Sequence, residues 1–246
     1  MALYKTGAVV LHSAPYREAD ALLLLFSPAR GRIRALAKGV RRPKSRLRGG
    51  VQPLTRARFL LYAGRALDTV IQCELEEAYP RLHAELERWA QASYLAELLI
   101  VTTPEGAESR ELYALLTTGL TLLEKERPEA VARFFELRLL AVLGYLPELW
   151  ACTGCGRRVA GAPVRVGPEG LLCPTCAQGR GGLEIDPRTL AALRFLVAAR
   201  PESLSRLQLE PPVWAELASV LQFWLGRHLD RPLKSTAVLA GLKPRG

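Results

Sequence analysis

Hydrophobic and polar positions change their period once along the chain, near residue 80. Before it, residues 5–12, 19–27, 32–37, 56–62 and 69–76 are short, alternating or wholly apolar runs bounded by Pro, Gly or charged residues, the pattern of five β-strands. In residues 30–38 the cations Arg30, Arg32, Arg34 and Lys38 share one parity and Ile33, Ala35 and Ala37 the other. A strand there shows a basic face and an apolar face. Five such strands within so short a span predict a small closed or partly open barrel.

After residue 80 the spacing becomes three-and-four. It predicts helices over 82–101, 108–125 and 129–144, the last with Pro128 near its first turn, where a missing N–H costs little. Asp186 and Pro187 open another helix with a capping carboxylate and a first-turn proline, and 212–229 supplies a longer one rich in Trp, Leu and Phe. Between them, residues 150–182 hold four cysteines and eight glycines and little that forms an apolar core. Order in that segment is expected from something other than burial, and the helices on either side of it are expected to pack as one bundle. The fold class is therefore α+β, with a barrel over 1–79, a helical domain in two parts, 80–149 and 183–246, and an inserted cysteine module at 150–182.

Charge sharpens this division. The chain of 246 residues carries a net +10, and the first 80 residues hold 14 basic against 6 acidic side chains. Residues 21–67 contain twelve Arg and Lys and no acid. A cationic surface of this density points to a polyanionic partner, nucleic acid first. Apolar stretches are too short for a membrane span, and the first residues lack a signal-peptide pattern, so a cytoplasmic protein without a membrane partner is expected, nucleoid-associated if its polyanion is DNA.

The most specific motif is Cys152-x-x-Cys155, seventeen residues, then Cys173-x-x-Cys176. Two short-looped thiolate pairs at this spacing suit one tetrahedral structural zinc, with no position left open for substrate. A redox dithiol needs only one pair, and a rubredoxin-like iron site uses the same four ligands. Cys73 reads as a buried strand residue. The second motif is the stretch 38–48, in which Lys38, Arg41, Arg42, Lys44, Arg46 and Arg48 are interrupted by Gly39 and Pro43, so it is a loop rather than a helix. Such a loop approaches a phosphate backbone and releases counterions, while a charge run alone is commonly just solvated surface. Arg32 and Arg34 on the strand before it and Arg56 and Arg58 on the strand after it complete the candidate nucleic-acid-binding set. Aromatics for base stacking are few: Tyr16, Phe26, Phe59 and Tyr62, any of which serves equally as core.

Catalytic groupings are not evident. His12, His83 and His228 fall on different elements, and neither phosphate-cradling glycine motif occurs. His83-Ala-Glu85 imitates half of the zinc-deaminase signature, but the four cysteines already satisfy a zinc by themselves. Glu18 and Asp20 read as a turn or salt-bridge pair.

Several segments, taken in order, resemble the RecO family of bacterial recombination mediators: Tyr16-Arg-Glu18-Ala-Asp20, Ala37-Lys38-Gly39-Val40-Arg41-Arg42, Gln52-Pro53-Leu54, Phe135-Glu136-Leu137-Arg138-Leu139-Leu140, Leu143-Gly144-Tyr145-x-Pro147 and Pro232-Leu233-Lys234-Ser235. The resemblance implies an OB-fold barrel, a helical domain and a four-cysteine zinc module. It also implies a non-enzymatic role in DNA repair and recombination: binding single- and double-stranded DNA, annealing complementary strands, contacting the C-terminal tail of single-strand-binding protein (SSB), and acting with RecR to load RecA on coated strands. In the family's basic motif lie Lys38, Arg41 and Arg42; Lys44, Arg46 and Arg48 extend it by chemistry alone. Two other readings are a zinc-stabilised sequence-specific DNA-binding regulator, for which a recognition helix with base-reading Asn or Gln is lacking, and an OB-fold nucleic-acid-modifying enzyme, for which His and clustered carboxylates are too few.

Overall fold

Alternation in the first third is realised as a closed five-stranded barrel. The computed structural model describes residues 2–160, 164–229 and 231–242. Strands β1 (Leu3–Tyr16), β2 (Asp20–Ser27), β3 (Gly31–Ala37), β4 (Arg56–Tyr62) and β5 (Asp68–Glu77) close in the order β1-β2-β3-β5-β4. All pairings are antiparallel except the short β3–β5 contact at Ala35↔Asp68 and Leu36↔Thr69, the closure of an OB-type barrel. Inward-facing Val10, Leu23, Leu25, Ile33, Phe59, Leu61 and Val70 fill the interior, each contributing on the order of 1.5–3 kcal/mol of apolar burial.

Strand β1 is longer at both ends than its pattern predicts. It pairs β4 through Leu3–Val9 and β2 through Val9–Tyr16, with a register irregularity between Val10 and His12. A bulge bends one strand so that it serves two neighbours, and it also breaks the alternation from which the boundary was read. Pro15 is tolerated because β1 has only β2 beside it there.

The helix expected over 82–101 is two helices, α1 (Pro80–Ala84) and α2 (Leu86–Thr102), separated by Glu85 in an extended conformation. Glu85 accepts from Arg81 Nε at 2.8 Å and Arg88 Nε at 2.6 Å, while the Glu124 carboxylate takes the N–H groups of Arg81 and Leu82 that open α1. Side chains remote in sequence thus hold the break. Helix α3 (Arg110–Leu123) starts on Ser109, whose hydroxyl accepts from the Leu112 N–H, and α4 (Pro128–Val142) starts on its proline.

Two compact units result, one containing the chain up to Pro128 together with the segment from Leu233, the other running from Glu129 to Pro232. In the first, α8 (Ser235–Leu242), which periodicity does not announce, packs on α2. The Glu97 carboxylate caps it, accepting from the N–H groups of Lys234 and Ser235 at 2.9 and 2.8 Å and from the Ser235 hydroxyl at 2.5 Å. Of the helices before the cysteine segment, α1, α2 and α3 thus belong to the first unit with α8, and α4 to the second.

The second unit holds α4, α6 (Pro187–Ala198) and α7 (Pro211–Gly226) around the cysteine module. That module is better ordered by burial than its composition suggests. Strands β6 (Val164–Gly167), β7 (Gly170–Leu172) and β8 (Leu183–Ile185) form a sheet in the order β7-β6-β8, with Val164, Val166, Leu171, Leu172 and Ile185 buried. Trp224 on α7 donates its indole N–H to the Gly167 carbonyl at 2.9 Å. Arg194 on α6 donates to the carbonyls of Leu149 at 2.7 Å and Val159 at 2.6 Å.

Candidate nucleic-acid interface and metal centre

Seven of the ten cations singled out in the barrel stand together. Arg34 projects from the outer face of β3, and Lys38, Arg41, Arg42, Lys44, Arg46 and Arg48 are all exposed on the loop that follows. Among the described residues no carboxylate is paired with any of the seven. The loop is a series of turns with fixed roots: Gly39 N–H donates to Asp20 Oδ1 at 2.8 Å and Arg41 N–H to the Ala19 carbonyl at 2.9 Å. Val40 and Val51 are buried in the barrel core on either side of the charged stretch. Gly39 adopts φ +64°, a left-handed conformation that glycine accepts without cost. Asp20 thereby serves as the turn anchor that its position suggested.

The remaining three cations are committed elsewhere. Arg32 donates through Nη1 to the Ile100 carbonyl at the end of α2, at 2.9 Å. On β4, Arg58 pairs with Glu76 at 2.8 Å and Glu74 at 3.8 Å, and Arg56 with Glu76 at 3.5 Å. Solvent-accessible pairs such as Arg58 with Glu74 stabilise little, but these carboxylates cancel the charge that a phosphate would meet. Sequence parity groups Arg32 with Arg34, and only the helices packed at one end of β3 separate them.

Phe26 and Phe59 are fully buried, leaving Tyr62, 39% exposed, and half-buried Tyr16, over which Arg17 lies, as accessible rings. Cys73 lies on β5 as expected but is half-buried rather than buried. Its thiol donates to the Leu47 carbonyl at 3.4 Å, and burial pushes its pKa up. His12 is exposed on β1, His83 packs against Trp89 with ring centroids 5.0 Å apart, and His228 stacks on Tyr145 at 3.8 Å. Glu85 is held below the usual carboxylate range by hydrogen bonds from Arg88 and then Arg81.

The second constellation is the thiol quartet. The sulfurs of Cys152, Cys155, Cys173 and Cys176 lie within 4.8 Å of one another, and those of Cys155 and Cys173 are 3.9 Å apart. Each cysteine pair sits in its own tight turn: Gly156 N–H donates to the Cys152 carbonyl at 2.8 Å with Gly156 at φ +74°, and Cys173 opens the short helix α5 (Pro174–Ala177). Gly154 lies so close to Cys176 that an added Cβ would come within 3.0 Å of it.

Cys152 is buried, which opposes ionisation, yet N–H donation from Cys173, Gly154 and Cys155 outweighs this and brings its thiol down to about 6. Cys176, hydrogen-bonded to the other sulfurs, is pushed up to about 12. Four adjacent sulfurs cannot all ionise alone, and a divalent cation removes that conflict. Tetrahedral zinc with bonds of about 2.3 Å spaces its sulfurs by roughly 3.8 Å, so the donor set and its spacing fit one zinc.

Residues 1–79 match the family model described as Recombination protein O N terminal, and residues 83–237 the one described as Recombination protein O C terminal. The chain belongs to the RecO family. Similar relatives carry the name DNA repair protein RecO: that of Pelotomaculum thermopropionicum is 42% identical over 97% of this chain and 94% of its own length. The Moorella thermoacetica protein is 40% identical over 96% and 90%, and that of Symbiobacterium thermophilum 34% identical over 99% of both. The RecO N-terminal match ends at Tyr79, whose left-handed backbone turns the chain from β5 into α1, and the RecO C-terminal match spans all four cysteines and the Glu97-bound cap at Ser235. No helix among the described residues of this RecO-family chain is long and apolar enough to cross a membrane.

Proposed function

We propose that this chain is a DNA repair and recombination mediator that binds single- and double-stranded DNA through its barrel, anneals complementary strands and, with RecR, helps load RecA onto SSB-coated single strands. The observation that carries the reading is the cluster of seven cations, unpaired with any described carboxylate, on a loop pinned to an OB-type barrel. Cationic side chains that bind two strands by their backbones screen phosphate repulsion and lower the barrier to pairing, and no covalent step is needed. Arg34, Lys38, Arg41, Arg42, Lys44, Arg46 and Arg48 would meet the phosphates, while Arg32, Arg56 and Arg58 act within the protein. Membership in the RecO family and relatives named for DNA repair support this reading; contacts to RecR and to the SSB tail rest on the family resemblance.

One zinc per chain, held by Cys152, Cys155, Cys173 and Cys176, would supply structural charge neutralisation to the module, whose order the helices α6 and α7 share.

The test mixes complementary oligonucleotides coated with single-strand-binding protein, without nucleotide, and follows duplex formation by fluorescence as this protein is added. Salt-sensitive acceleration is expected; strands that stay apart while the protein binds them would refute the annealing role. Replacing Arg41, Arg42 and Lys44 by Ala should reduce the slope of log affinity against log salt by about 2 on single strands, at roughly 0.7 per lost phosphate contact.

A further inference from the structure

The basic loop borders two clefts that share no lining residue. The first, about 580 Å³, has Lys5, Arg46 and Arg58 on its walls but also Glu74, and Arg58 is already paired with Glu74 and Glu76. It offers an anion little. The second, about 420 Å³, lies between the bent end of β1, the start of β2 and the two ends of the loop. Arg41 and Arg48 are its charged residues and Ser13 and Gln52 its neutral polar ones, and no carboxylate lines it.

Burial orders this second cleft. Arg41 and Arg48 are exposed, whereas Val40, Val51 and Ala21 are buried and form an aliphatic floor, with the ring of Pro53 beside them. Its walls are held: Arg41 N–H donates to the Ala19 carbonyl at 2.9 Å, and Gln52 Nε2 to the Arg48 carbonyl at 3.2 Å. The cleft thus combines an apolar floor, two cations and two groups that both donate and accept hydrogen bonds, in a volume within the usual range for small ligands.

We propose that this cleft is a nucleotide subsite for single-stranded DNA: one base leaves its neighbours and enters over Val40, Val51 and Pro53, with its flanking phosphates on Arg41 and Arg48. This rests on the reading of the basic loop as a strand-binding surface. Removing a base from its stack costs least in a single strand, and the Ser13 hydroxyl and Gln52 amide suit the edge of any base, so the site tolerates sequence. It also gives the barrel a grip on bases that its buried phenylalanines cannot supply.

The test uses the full chain and a twelve-residue oligothymidylate carrying one internal 2-aminopurine, whose fluorescence rises when it unstacks. Wild type should raise the signal on binding, and an unchanged signal with saturated binding overturns the proposal. Gln52→Trp, which fills the cleft with every cation retained, should abolish the rise when measured at protein concentrations that saturate the oligonucleotide; a rise that survives this blockage overturns it. Arg41→Ala with Arg48→Ala should weaken binding about tenfold near 0.15 M salt and reduce the salt slope by about 1.4. Lys44→Ala with Arg46→Ala should weaken binding similarly but keep the rise. If both double variants bind as wild type, it is the loop reading that fails, whatever the fluorescence shows. Thymidine monophosphate should compete at least a hundredfold more weakly than the oligonucleotide; equal affinity would make this a free-nucleotide site and overturn a strand subsite.

Discussion

Arg194 offers the sharpest test of how the cysteine module is held. Its guanidinium reaches from α6 to two carbonyls, Leu149 before the first cysteine pair and Val159 after it, at 2.7 and 2.6 Å. Hydrogen bonds from a charged donor contribute roughly 1.5–3 kcal/mol each, and Arg194→Met keeps much of the aliphatic stem while removing both. A loss of about 3–5 kcal/mol in the docking of the module follows, with the two carbonyls left without their donor. Because metal affinity of such a module is coupled to its folding, about 3 kcal/mol corresponds to a zinc affinity lowered by roughly a hundredfold. The assay is competition with a chromogenic chelator on purified protein, with hydrogen exchange at Leu171 and Val166 read in parallel. Wild-type chelator resistance together with wild-type exchange would refute the claim that α6 holds the module.

Three further outcomes are expected. Metal retention should fall steadily as pH is lowered, because protons compete with the metal for all four sulfurs, most strongly at Cys176, whose thiol is pushed up, and least at Cys152, whose thiol is brought down; a chelator titration across pH 5–8 reads this directly, and a flat profile would refute it. Glu97→Ala removes the acceptor for three donors at the start of α8 and should cost about 1–2 kcal/mol, seen as faster proteolysis after Leu233 with the barrel intact. Asp20→Ala frees the Gly39 N–H at the root of the basic loop and should speed tryptic cleavage between Arg41 and Arg48 several-fold, with about 1 kcal/mol lost in stability by urea titration.

Much of the barrel is legible in the sequence because each strand combines alternation with Pro, Gly or charge at its ends. Strand β1 escapes at its second half, where the irregularity after Val10 shifts the parity on which such reading depends. Strands β6, β7 and β8 escape for a different reason: three or four residues each, among glycines, are too few to display a period, although Val166 and Leu171 become as buried as any core residue. The break at Glu85 is invisible locally, since glutamate is a good helix former and the groups that hold the break open include Glu124. For the site, cysteine spacing specified the thiol quartet and charge density specified the loop. What spacing cannot show is pairing across strands: Arg56 and Arg58 look as available as Arg34 until the β4–β5 register sets them against Glu74 and Glu76. The cleft at Ser13 and Gln52 lies deeper still, being assembled from four segments whose approach to one another is set by the fold and not by any local pattern.

The return of the chain from Leu233 to the first unit has a consequence for the order in which the molecule is made. Everything between Glu129 and Pro232 belongs to one continuous stretch and can fold as soon as it leaves the ribosome, whereas the α2 surface begun earlier waits for its last helix. At about 5–20 residues per second that interval is on the order of ten seconds. During it the barrel and its basic loop are complete but α2 is uncovered where α8 will lie, so the growing chain has its cationic surface before it has its finished scaffold.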